Sequence, residues 1–276
     1  MKLLVIGGNG MAGHVLVQYF RKVEGVTVLH TTRRAEDHDG ITLDASDFEQ
    51  VLAVVTAHRP AVIVNAVGVL NADAEQHPLA AYRVNALLPH WLRHAADTVG
   101  ARLIHISSDC VFSGRAGLYT EQDTPDNPSV YGRTKAIGEV TDPRHLTIRT
   151  SIIGPDDNPS GIGLLQWFLL QTGTVRGYSR VYWNGVTTLE LAKAVHYALR
   201  HPQIGGLVHL AAPEVVSKLE LLQLFQAAFG HYEAVITPTE EPVIDRTLQP
   251  TRVDWSYEAP FYRQMLSELA AWMRST

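Results

Sequence analysis

An α/β fold built on a doubly wound parallel sheet is expected for this chain, on three observations. The first apolar run, Lys2 to Ile6, meets a glycine-rich turn and then a helical pattern. Further unbroken apolar runs alternate with amphipathic helical stretches over short links, the signature of a parallel sheet covered by helices on both faces. One of those runs, Arg102 to Ser108, ends in polar residues, at the carboxyl edge where open sheets of this kind hold ligands.

Size and composition bound the answer. With 276 residues, 46% apolar and 18% charged, the chain buries a sizeable core and suits one large domain, or one domain plus a lobe. A net charge of −5 leaves no basic field for nucleic acid and no polybasic patch for a membrane surface. The N-terminal apolar run is too short for a signal-peptide core, and no later segment approaches a membrane span. Cys110 is the single cysteine, so no intramolecular disulfide forms and a reducing cytoplasm is the expected home. The thirteen histidines are scattered without the close pairing of metal ligands, and no metal is expected.

Taken in order, Lys2 to Ile6 reads as a strand buried on both faces. Gly7-Gly8-Asn9-Gly10-Met11-Ala12-Gly13 comes next, then a helix through Val15, Leu16, Tyr19 and Phe20. Glycines let the backbone approach a pyrophosphate, and the helix N-terminus adds unpaired N–H groups and positive dipole. Gly7, Asn9, Gly10, Met11 and Gly13 are therefore candidates for binding a dinucleotide. Val26 to His30 should be the second strand, and the residues at its carboxyl end select the cofactor. A carboxylate there would bind a ribose 2′-hydroxyl, whereas arginine accommodates a 2′-phosphate. The sequence continues Thr31-Thr32-Arg33-Arg34, which points to NADP(H), although two solvated loop arginines would read the same way.

Ile41 to Leu43 leads to Asp44, expected to cap a helix over about Phe48 to Ala57 or to touch the adenine edge, capping being the preferred role. Ala61 to Val67 is the next strand, interrupted only by Asn65, and a helix is expected from about Leu79 to Val99. After the Arg102 to Ser108 strand, a loop rich in Gly, Pro, Asp and Asn carries Tyr119, Glu121 and Asp123 to a helix with Tyr131 and Lys135 four residues apart. That spacing places both side chains on one face, where an ammonium would stabilise a phenolate and lower its pKa. The pair is an acid–base device in outline.

Leu146 to Arg149 reads as one more buried strand. From Ser151 the texture changes to a turn-rich stretch, Gly154 to Gly161, and a helix around Leu164 to Gln171. Beyond lie a strand at Val181 to Trp183, a helix at Thr188 to Arg200, a strand at Leu207 to Leu210, and helices at Lys218 to Phe229 and Phe261 to Met273. The last carries an apolar stripe of Phe261, Met265, Leu269, Trp272 and Met273. The expected division is 1–150 as a Rossmann-like NADP-binding domain and 151–276 as a smaller interleaved lobe, with some segments returning to the sheet.

Three motifs together resemble the extended short-chain dehydrogenase/reductase family: the spaced glycines, Ser107-Ser108-Asp109-Cys110-Val111-Phe112, and Tyr131-Gly132-Arg133-Thr134-Lys135. Ser108-Asp109-x-Val111-Phe112-x-Gly114, Tyr119-x-Glu121-x-Asp123, Pro128-x-x-Tyr131-Gly132 and Arg149-Thr150-Ser151 resemble its dTDP-4-dehydrorhamnose reductase branch, as does Trp183-Asn184-Gly185-Val186-Thr187-Thr188. The resemblance implies NADPH-dependent reduction of the 4-keto group of a nucleotide-diphosphate-linked 6-deoxyhexose. It makes Tyr131 the general acid, Lys135 the ribose ligand that lowers the Tyr131 pKa, and Ser108 a hydrogen-bond partner of the carbonyl. Asn65 and Ala66 would lie over the cofactor and Asn85 would support the cofactor-side helix. Ser108, Asp109, Cys110, Trp183 and Asn184 would contact substrate, with the 151–276 lobe as the substrate-binding lobe. A homodimer is left open.

Two positions depart from the branch: Cys110 stands where an aromatic residue is usual, and Ile152 where tryptophan is usual. Both should face the sugar, so its identity stays open. Two other functions stay open as well. Cys110 occupies a position that serves as acid or base in some relatives, which would make the chain an epimerase or epimerase-reductase. A non-catalytic NADP-binding regulatory subunit, like that of methionine adenosyltransferase, is the third reading.

Overall fold

In the first strand, Lys2–Ile6 (β1), Leu3 and Val5 pack on one face and Leu4 and Ile6 on the other, and all four are fully buried. Burial on both faces is why the run shows no alternation. The computed structural model describes residues 1–156 and 163–275. After β1 come α1 (Met11–Arg21), β2 (Thr27–Thr32), β3 (Ile41–Thr42), α2 (Phe48–His58), β4 (Val62–Asn65), α3 (Asn71–Gln76) and α4 (Pro78–Ala81). A π-helical turn (Tyr82–Leu87) leads into α5 (Leu88–Val99), then β5 (Arg102–Ser108), a 3-10 turn (Asp109–Val111), α6 (Val130–Ile137) and β6 (Leu146–Thr150). The second half contains β7 (Ile152–Ile153), α7 (Leu164–Leu169), β8 (Gly173–Tyr178), β9 (Val181–Trp183), β10 (Val186–Thr187), α8 (Thr188–Arg200) and β11 (Gly206–His209). It ends with β12 (Val216–Ser217), α9 (Lys218–Phe229), β13 (Ala234–Thr239), β14 (Ile244–Asp245) and α10 (Tyr262–Ser275).

The main sheet is parallel, in the order β11-β6-β5-β4-β1-β2-β3. This is the doubly wound α/β architecture the apolar runs predict, with the strand order reversing beside β1. Phe20 and Val15 of α1 and Leu191 and Val195 of α8 fill one face, while Val51 and Val55 of α2 and Leu88 and Leu92 of α5 fill the other. The late strand β11 returns to the sheet edge against β6. Among the described residues no helix is long and apolar enough to cross a membrane.

Several expectations need correction. The helix expected from Leu79 to Val99 is broken into α4, the π-turn and α5. Pro89, at the start of α5, has no N–H to continue the backbone ladder, and a wider turn precedes it. The second half of the chain contains a parallel pair, β8 with β13, that no apolar run predicts. Glycines in β8 and Pro238 in β13 hide both strands from a search for apolar alternation. In α10, Phe261 lies before the helix and is 60% exposed, whereas Tyr262 and Leu266 are buried. The Asp157 to Gly161 part of the turn-rich stretch lies outside the described residues.

Backbone-directed side chains tie distant segments of the chain together. Glu121 accepts from the backbone N–H groups of His209 and Thr251, each at 3.0 Å. Asn184 donates to the Leu248 carbonyl at 2.7 Å and accepts from the Leu248 N–H at 2.9 Å. Replacing Asn184 with Ala orphans both buried groups, at about 1–3 kcal/mol each. Asn184→Ala should lower the denaturant midpoint accordingly with an unchanged slope, as read by circular dichroism.

Candidate active site

Beyond β1 the chain turns so tightly that a Cβ on Gly13 would lie 1.9 Å from the Gly7 carbonyl oxygen, and Gly7 adopts φ +84°. The turn delivers Gly10 as the N-cap of α1, with no side-chain cap on the helix's first N–H groups. Asn9 donates to Asp37 Oδ2 at 2.8 Å, while its own Oδ1 is buried without a partner. Met11 begins the helix and is half-buried. A glycine cradle and uncapped helix N–H groups fit the pyrophosphate of a dinucleotide.

β2 extends to Thr32, so Arg33 leaves the strand directly and is exposed, and the Arg34 N–H donates to Thr32 Oγ1 at 2.9 Å. Behind this corner His30 Nε2 pairs with Asp37 Oδ2 at 2.9 Å. The hydrogen bond from Asn9, and after it that from His30, holds the Asp37 carboxyl down at about 2. Asp44 does not cap α2. Asp47 does, accepting from the N–H groups of Glu49 and Gln50 at 2.9 and 3.2 Å. Asp44 instead accepts from the N–H and hydroxyl of Ser46 at 2.9 and 2.7 Å, because a carboxylate outside the N-cap cannot reach N2 or N3.

At the end of β4, Asn65 is fully buried and turned inward. Its Nδ2 donates to His105 Nδ1 at 3.1 Å and its Oδ1 accepts from the Val67 N–H at 3.2 Å. The adjacent Ala66 N–H joins the ladder at the Ile6 carbonyl. Asn85 in the π-turn accepts from the Val69 N–H at 2.8 Å and donates to the Val69 carbonyl and to Thr134 Oγ1 of α6. It therefore ties the post-β4 loop to the helix carrying Tyr131.

β5 stops at Ser108 and does not continue to Cys110. A 3-10 turn intervenes, because Ser108 Oγ accepts from the Cys110 N–H at 3.1 Å and bends the chain. Ser108 Oγ also donates to Asp109 Oδ1 at 3.1 Å, and it acts to lower the pKa of the Tyr131 phenol. Ser129 caps α6 through the Gly132 N–H at 3.0 Å, and Glu75 Oε1 accepts from the Val130 N–H at 2.7 Å. Asn127 binds the Cys110 and Phe112 carbonyls at 2.8 and 3.3 Å.

The electrostatics differ from the simple tyrosine–lysine picture. Burial raises the Tyr131 phenol above its ordinary value, and Ser108 opposes that only in part. Lys135 Nζ donates to the Ile106 carbonyl at 2.7 Å, and burial pushes its ammonium down to about 8. Burial thus leaves the phenol neutral at neutral pH, in place of the expected lowering by Lys135. Burial raises the Asp109 carboxyl, opposed by Arg246 and then Lys218. Cys110 is raised to about 12, by burial first and by Asp109 second.

A cavity of about 240 Å³ opens beside these groups, lined by Asn71, Glu75, Cys110, Asn127, Ser129, Tyr131 and Arg246. Trp183 and Asn184 do not line it. Trp183 is 4% exposed and stacks on Tyr262, and the Asn184 amide is saturated by the Leu248 backbone, so both placements correct the sequence reading. Arg246, Glu75 and Lys218 were missed. Arg246 Nε donates to the Phe112 carbonyl at 3.0 Å from 134 positions away, and no local pattern announces such a contact.

A family model described as the RmlD substrate binding domain matches residues 1–252. The dTDP-4-dehydrorhamnose reductase of Streptomyces griseus is 39% identical over 139 residues, 49% of this chain and 43% of that one. The dTDP-4-dehydrorhamnose reductase of Salmonella typhimurium is 30% identical over 223 residues, covering 77% of this chain and 73% of that one. Among solved structures, the dTDP-4-dehydrorhamnose reductase of Bacillus anthracis in complex with NADP superposes with a TM-score of 0.83 at 19% identity, over 100% of this chain and 99% of that one.

A thiol near 12 is almost wholly protonated at pH 8. Cys110, as the only cysteine, should therefore react with iodoacetamide roughly a thousandfold or more slower than a free thiol of pKa about 8.5. Mass spectrometry of the intact protein reads this directly, and labelling at the free-thiol rate would contradict the assignment.

Proposed function

The chain belongs to the RmlD substrate-binding-domain family, the dTDP-4-dehydrorhamnose reductase-like branch of the extended short-chain dehydrogenases/reductases, and from that premise we propose that it reduces the 4-keto group of a nucleotide-diphosphate-linked 6-deoxyhexose with NADPH. The observation that carries this reading is a buried, protonated Tyr131 phenol lining, with Arg246, the cavity beside the end of β5, where Ser108 acts to lower its pKa.

When bound, the dinucleotide supplies the hydride. Tyr131, protonated at neutral pH because burial raises its pKa, gives its hydroxyl proton to the ketone oxygen as negative charge develops there. Ser108 Oγ, fixed by the Cys110 N–H, orients that oxygen against the phenol. Gly7, Gly10 and Gly13 with the N-terminus of α1 would hold the pyrophosphate, Arg33 and Arg34 would take the 2′-phosphate, and Lys135 would hold the nicotinamide ribose while cationic. Residues 1–150 supply this half of the site. The lobe contributes Arg246, whose guanidinium suits the substrate diphosphate. Epimerisation through Cys110 is not favoured, since a thiol raised to about 12 is a poor base at neutral pH.

NADPH should bind at least tenfold more tightly than NADH, because charge-assisted contacts to a 2′-phosphate are worth about 1.5–3 kcal/mol each. Fluorescence titration with both cofactors checks this, and equal dissociation constants would remove the assignment. Tyr131→Phe should lower turnover by about 10²–10⁴-fold or more while NADPH affinity stays unchanged. The assay follows NADPH absorbance across a panel of nucleotide-linked 4-ketosugars. Tight NADPH binding with no turnover of any of them by the wild-type chain would favour the regulatory-subunit reading.

A further inference from the structure

Glu139 lies just past the end of α6, four residues after Lys135, and its side chain is 7% exposed. A carboxylate removed from water in this way needs donors for its oxygens and a partner for its charge. It receives Ser107 Oγ at 2.7 Å, Arg149 Nε at 2.8 Å and Arg149 Nη2 at 2.6 Å. Ser107 precedes Ser108 on β5, and Arg149 stands opposite Ser107 in the β5–β6 register. One side chain therefore joins the strand end that presents Ser108, the neighbouring strand, and the end of the helix that presents Tyr131 and Lys135.

We propose that Glu139 is a positioning residue for the reaction: it clamps the strand end at Ser107 to the end of α6, and its negative charge keeps Lys135 an ammonium. This rests on the reading of Ser108, Tyr131 and Lys135 as the acid–base site. Burial pushes Lys135 down, and Glu139 is the charge that opposes the shift. The surrounding groups leave that task to Glu139. Arg149 on β6 pairs with it, and His209 on β11, 3.0 Å from Arg149 Nη1, is held neutral near 4 by burial. Glu121 and Asp123 of the preceding loop face His209. On β5, His105 is pushed well below its ordinary value by burial first and by Lys135 second, with His90 of α5 beyond it.

Without the Glu139 charge the Lys135 pKa falls, and the ammonium becomes an amine at lower pH. Glu139→Gln alone leaves the Arg149 guanidinium buried and unpaired, so Glu139→Gln with Arg149→Gln is the cleaner variant. The chain has five lysines, so protein labelled with carbon-13 at lysine Cε gives five resonances, with Lys135 identified by its loss in Lys135→Met. In the double variant the Lys135 titration midpoint should fall by at least about half a pH unit, and the alkaline limb of NADPH binding should fall with it. Glu139→Asp, which keeps the charge, should hold the midpoint near the wild-type value. An unchanged midpoint in a cooperatively unfolding double variant would overturn the proposal, as would an equal fall in Glu139→Asp. The midpoint needs neither cofactor nor substrate, so its failure is distinct from failure of the reductase reading, which the NADPH titration decides.

Discussion

The close approach of α6 to the end of β5 is the contact on which the site depends. A Cβ at position 132 would lie 2.6 Å from the Cys110 carbonyl oxygen and 2.6 Å from Asn127 Cβ, so the helix seats only because Gly132 has none. Asn127 fastens the far side of the contact by donating to the Cys110 and Phe112 carbonyls, and Ser129 caps the helix at the same point. From this seating Ser108 acts on the Tyr131 phenol and the Lys135 ammonium meets the Ile106 carbonyl.

That seating also buries ionisable groups, and burial sets their chemistry. Phenol, thiol and carboxyl at Tyr131, Cys110 and Asp109 are all raised, and the Lys135 ammonium is lowered. Each shift favours the neutral form, as removal from water requires. The charges that oppose burial come from distant parts of the chain in one case and from the helix end in the other: Arg246 and Lys218 act on Asp109, and Glu139 acts on Lys135. The result suits proton donation by a neutral phenol rather than abstraction by a phenolate.

On the cofactor side, rigidity comes from a second buried set. His30 and Asn9 converge on Asp37, joining the glycine turn after β1 to the loop after β2. The two loops that would enclose an adenosine phosphate are thereby held as one unit, with Arg33 at its exposed corner.

Much of this was legible in the chain before folding. Apolar runs without alternation mark strands buried on both faces, and the glycine spacing, the strand end at Ser108 and the Tyr131–Lys135 interval are short-range features fixed by backbone geometry. Asp47, not Asp44, caps α2, as the helix start at Phe48 requires, since only the residue directly before the helix reaches its free N–H groups. Trp183 and Asn184 were assigned to substrate by motif alone, yet the fold gives one to a stack on Tyr262 and the other to the Leu248 backbone. Arg246, Glu75 and Glu139 reach the site from just past β14, α3 and the end of α6, and the shifts at Tyr131, Cys110, Asp109 and Lys135 follow from how far each group is taken from water. Local pattern determines which elements form. Which charges meet, and in what dielectric, is decided only when elements far apart in sequence pack together.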